Sequence, residues 1–188
     1  RFVGNGMNSG EIILNGNCSD GVGHCLSGGI IVIQGSVEGN AGLSMKGGDL
    51  IISGSVSGDL ATCMSGGNMI VCGDALGSIG KMMSGGKVFV AGEAADSQNT
   101  VSKNTSPADL KAIQRTLRDY GVNPDGLRFK TITSNYKTEK IREDNYDKKT
   151  IHDNLILVHA KLSRRPRTMH LDDLDLSLYI GHKKKEPL

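Results

Sequence analysis

Tryptophan is absent from this 188-residue sequence, and only three Phe and four Tyr supply aromatic rings. A core assembled around large aromatic anchors is therefore excluded, and apolar packing has to come from Ile, Val, Leu and Met. No run approaches the ~18 consecutive apolar residues of a membrane-spanning helix, and no basic–apolar–small leader opens the chain. The four cysteines, Cys18, Cys25, Cys63 and Cys72, contain no CxxC pair. Their spacing fits neither a zinc site nor the disulfide framework of a small secreted domain, so a reducing cytoplasm is the expected setting. Two N-x-S/T triplets, at Asn17 and Asn104, carry no weight without a secretion signal.

Glycine, by contrast, is plentiful and segregated. Of 26 glycines, 23 fall within residues 1–101. Charge divides at the same place: residues 1–101 hold 4 Lys/Arg against 8 Asp/Glu, and the remainder 18 against 12. A net charge of +2 thus conceals an acidic half and a basic half, and the expected boundary lies at residue 101, with an appendage over 102–188.

The glycines of the first half keep a 19-residue beat. Gly10, Gly29, Gly48, Gly67 and Gly86 form one column, and Gly16, Gly35, Gly54, Gly73 and Gly92 another. Gly39, Gly58 and Gly77 form a third, and Gly4, Gly23, Gly42, Ala61 and Gly80 a fourth. Apolar columns share the period: Ile12, Ile31, Leu50, Met69, Val88; Leu14, Ile33, Ile52, Val71, Val90; and Met7, Leu26, Met45, Met64, Met83. Two more run through Cys18, Val37, Val56, Ala75, Ala94 and Val3, Val22, Ala41, Leu60, Ile79. Short β-branched runs bounded by glycine read as strands and turns, and helical repeats need longer units. The period predicts a coil of three short strands and three bends per turn, each strand pairing with its equivalents about 4.8 Å above and below. The expected fold class is an all-β solenoid, a right-handed parallel β-helix with 19-residue turns, plus a smaller mixed α/β tail. Gly4-x-Gly6 and Gly21-x-Gly23 resemble fragments of a nucleotide loop, but such a loop must open a helix, and none follows here.

The unit running from Met64 through Gly66-Gly67, Gly73 and Gly77 to Gly80 resembles the GXGXG domain, the C-terminal β-helix of the glutamate synthase large subunit. The likeness covers residues 1 to about 96. Similar β-helices stand as separate subunits in archaeal glutamate synthases, in N-methylglutamate synthase and in formylmethanofuran dehydrogenase. What the resemblance implies is a non-catalytic scaffold or docking part of a glutamate synthase-type oxidoreductase. Its partners would be glutamine amidotransferase and flavin-containing synthase domains, and FMN and an iron–sulfur cluster would belong to those partners. The alternative is the β-helical component of a formylmethanofuran dehydrogenase-type complex, and the third reading an independent β-helix enzyme. This chain opens on Arg1, and its cysteines lack cluster spacing, so no catalytic, cofactor-binding or metal-binding residue is assigned to it.

Side-chain chemistry points the same way. Cys25 and Cys63 share a column two turns apart, about 9.6 Å, beyond the ~7 Å span of a disulfide. The Met column and these thiols are soft enough for Cu(I), but Met and free Cys more commonly fill apolar cores. Among the histidines (His24, His152, His159, His170 and His182) only His24 lies in the repeats, on an expected turn with no paired carboxylate. Enzymatic β-helices use polar or carboxylate ladders on one face, which these columns are read as lacking.

One column calls for a cover. If positions such as 12 and 14 face inward, Ile13, Val32, Ile51, Ile70 and Phe89 face outward, an apolar stripe about 19 Å long. A helix near 107–120 is the expected cover. Ser106 fits as N-cap, Pro107 at N1, Asp109 at N3 and Gly121 as stop, with Leu110, Ile113, Leu117 and Tyr120 on one face. Further on, 127–132 alternates like an edge strand, 155–160 reads as a short apolar strand, and 136–153 as loop or solvated helix. Leu171, Leu174, Leu176, Leu178 and Ile180 mix alternation with acidic residues, leaving the element type open. The basic runs Arg164-Arg165-Pro166-Arg167 and Lys183-Lys184-Lys185 lack interleaved aromatics, so they read as solvated surface or contacts to an acidic partner, not nucleic acid. The repeat is already running at Val3 and Gly4. Either upstream sequence precedes it, or its first turn needs a cap from the tail or another chain, and an oligomer or complex is expected.

Overall fold

A computed structural model describes residues 1–95 and 99–135. The chain divides into two units, Arg1–Thr138 and Glu139–Leu188, and the described residues lie in the first. The readings of 136–153, 155–160 and 171–180, of both basic runs, and of His152, His159, His170 and His182 lie outside the described residues.

Five strands recur along the repeat: β1 (Glu11–Leu14), β2 (Ile30–Ile33), β3 (Asp49–Ile52), β4 (Ser65–Val71) and β5 (Gly85–Val90). They pair in parallel, with Ile12 beside Ile31, Ile31 beside Leu50, Leu50 beside Met69 and Met69 beside Val88. The result is a β-solenoid of about four turns. Only one side of the coil is a true sheet. The other two are ladders of single bridges, Cys18–Val37–Val56–Ala75–Ala94 and Val22–Ala41–Leu60–Ile79. The expected three short strands per turn are therefore corrected to one strand and two single-residue bridges, because the segments between the turns are too short to extend further.

The interior columns close into a continuous core. Ile31, Leu50, Met69 and Val88 are fully buried, as are Ile33, Ile52, Val71 and Val90. Leu26, Met45, Met64 and Met83 fill the space opposite, and unbranched thioethers suit such an irregular gap. Burying one such side chain contributes about 1.5–3 kcal/mol.

Glycine meets two distinct demands, and the double glycines display both. In Gly47-Gly48 and its equivalents the second residue sits at φ +75 to +88°, the left-handed region. The first passes so close to the turn below that a Cβ on Gly47 would lie 2.4 Å from the Ser27 carbonyl oxygen. At Gly58 the obstacle is also backbone, with a Cβ falling 2.4 Å from the Gly39 carbonyl carbon. One left-handed column is not glycine-bound. Gly6, Cys25, Ser44, Cys63 and Met82 all have φ between +54 and +68°, and a Cβ at Gly6 meets nothing within 4 Å. Side chains are tolerated there at about 1 kcal/mol of strain each, half-buried at Cys25, Ser44 and Cys63 and exposed at Met82.

Beyond the repeat come β6 (Thr100–Asn104), α1 (Pro107–Asp119) and β7 (Lys130–Ser134). The sheet order is β1-β2-β3-β4-β5-β7-β6, with β7 antiparallel to both neighbours. The 127–132 segment is thus corrected from an edge strand: the strand starts at Lys130 and lies inside the sheet, and the polar β6 takes the edge. Ile132 faces Val88 and extends the core column by one rung. Thr131 is buried and donates to Thr105 Oγ1 (2.9 Å), which donates to the Phe129 carbonyl (2.7 Å).

Replacing Gly58 by Ala is expected to destabilise the protein by about 3 kcal/mol, since two backbones must separate. Gly6→Ala should cost about 1 kcal/mol, the conformational strain alone. Urea denaturation of the two variants beside the parent checks both the order and the gap.

Candidate functional site

The outward face of the sheet is the first surface to weigh. Val32, Ile51, Ile70 and Phe89 are all buried, in one cluster with Ile113 and Leu117 of α1 and with Phe129. Leu110, Tyr120, Val122 and Leu127 pack around the rim. Helix α1 forms where its start signals lie: Ser106 Oγ accepts from the Asp109 backbone N–H (3.1 Å), and Pro107 occupies the first turn. The cover reaches four rungs of the stripe. Ile13, on the first, remains 51% exposed.

Polar contacts fix the helix in place. Lys87 Nζ lies 2.7 Å from Asp109 Oδ1, and Gln34 Nε2 donates to the Tyr120 carbonyl (3.1 Å). The Lys87 hydrogen bond, and then that from Ser106, hold the Asp109 carboxyl below its ordinary range. Burial, reinforced by a hydrogen bond to the Glu11 carboxylate, holds the Tyr120 hydroxyl above its own. Between helix and sheet remains a cleft of about 120 Å³ bordered by Asp49, Asn68, Asp109 and Thr116. On its sheet side Asn68 Nδ2 donates to Asp49 Oδ1 of the neighbouring strand (2.9 Å).

The turns carry two polar ladders that the column reading missed. Asn17 Oδ1 accepts from the Ser36 N–H (2.8 Å), Ser36 Oγ from Ser55 (3.1 Å), Ser55 Oγ from Asp74 (2.9 Å), and Asp74 Oδ1 from Glu93 (2.8 Å). In a second ladder the Asp20, Asn40 and Asp59 side chains accept in turn from the Asn40, Asp59 and Ser78 backbone N–H groups at 2.7–3.0 Å. The expectation that the columns lack ordered polar ladders is corrected: the ladders are present, mixed in Asn, Ser and Asp. The signal was present as a recurrence of Asn, Ser and Asp at 19 residues (20 from Asp20 to Asn40), masked by its mixed chemistry. These oxygens satisfy amides that the bends leave without carbonyl partners, so their lone pairs serve the fold. Asp59 also binds Lys81 (2.8 Å), which lowers its pKa.

The thiols are free. Cys18 is buried, and burial raises its pKa. Burial pushes Cys72, packed against the cluster under α1, up to about 11, where a thiol is no nucleophile at neutral pH. Cys25 and Cys63 stand on the left-handed turn column. His24 lies on a turn, its ring 6.2 Å from that of Phe2. Among the described residues no three His, Cys, Asp or Glu converge as a metal site requires, and no helix is long and apolar enough to cross a membrane. A larger open cleft, about 440 Å³, is lined by Met82, Met83, Ser84, Asn99 and Asn135. No family model matches the sequence, and no curated protein matches it.

Leu117→Ala is expected to cost about 2–5 kcal/mol and to expose the stripe, read as a lower melting temperature with increased binding of an apolar dye. A pH titration of stability tests Asp109. Its folded pKa is depressed, so its contribution is complete above the unfolded carboxylate value and fades as pH falls through the folded one. Asp109→Asn should flatten the acid limb of the curve and leave its neutral-to-alkaline shape unchanged.

Proposed function

We propose that this chain is a non-catalytic scaffold of a glutamate synthase-type oxidoreductase, a right-handed parallel β-helix of the GXGXG type with a mixed α/β tail, working in the cytoplasm. The observation that carries the non-catalytic reading is the commitment of its polar ladders. The carboxylates a β-helix enzyme would turn to substrate here accept backbone amides (Asp20, Asp59 and Asp74), and the outward sheet face is roofed by the chain's own helix. The period, the double glycines and the Met column support the family resemblance. On this reading glutamine amidotransferase and flavin-containing synthase domains are the partners, holding FMN and the iron–sulfur cluster. The chain's part is to set their separation, a task suited to a rod whose every turn is hydrogen-bonded to the next.

Gentle affinity capture of the full chain from its native cells, followed by mass spectrometry and a visible spectrum, tests this. Co-purification of an amidotransferase and a yellow-brown flavin/iron–sulfur protein is the expected result. Molybdopterin-bearing proteins would instead place the chain with the formylmethanofuran-type assemblies, and a colourless protein captured alone would overturn the scaffold reading.

A further inference from the structure

We draw no further inference here: the strongest candidate, the open cleft of about 440 Å³ where Met82, Met83 and Ser84 of the last repeat turn meet Asn99 and Asn135, borders residues outside those described, and nothing in the structure shows what covers it.

Discussion

Most backbone amides in the repeat reach a carbonyl or side-chain oxygen on the turn before or the turn after, and that requirement ties residues 19 apart to the same conformation. The Ser53 N–H donates to the Ile33 carbonyl and Cys72 to Ile52, the same bond one turn later. An inserted residue would break this equivalence on all sides of the coil at once. Every position consequently inherits the steric demand of its column. Where turns nearly touch, as at Gly58 above Gly39, only hydrogen fits. Where the chain bends outward, as at Cys25 and Met82, a left-handed backbone is kept while the side chain is free to vary.

The same constraint creates two liabilities, an apolar outer face and open strand edges at the ends. The segment after the repeat addresses the first and half of the second. Helix α1 buries Val32, Ile51, Ile70 and Phe89, and β7 adds an antiparallel strand that extends the core through Ile132. An antiparallel strand ends the stack because it cannot feed another coil in the same direction. The edge then passes to β6, which is short and mostly polar, a composition that discourages further pairing. Among the described residues the β1 end has no such cover, and Ile13 and Phe2 stay exposed beside it.

Electrostatics follow the same logic. Asp20, Asp59 and Asp74 serve amides that the bends strip of carbonyl partners, so charge is stored at the corners of the coil. Asp109 uses its charge to hold a helix to a sheet through Lys87. A chain whose carboxylates and thiols are spent on its own fold is suited to supporting chemistry elsewhere, which is the basis of the scaffold reading.

The 19-residue beat of Gly10 to Gly86 and of Ile12 to Val88 determined the solenoid, because stacked turns impose period directly on sequence. Alternation determined which residues face inward, and Ser106, Pro107 and Asp109 marked where α1 begins, since caps act within a few residues. Other features depended on contacts remote in sequence. That two sides of the coil shrink to single bridges is set by how the turns close. Thr100–Asn104 is a strand only because β7 lies beside it. The ladders of Asn, Ser and Asp share an acceptor oxygen but no residue type, so their unity emerges only when equivalent corners are superposed. The place of β7 inside the sheet, and the one stripe residue left uncovered, were decided by tertiary packing. A segment's local pattern records which face it can bury, while the neighbour that buries it is fixed by the path of the whole chain.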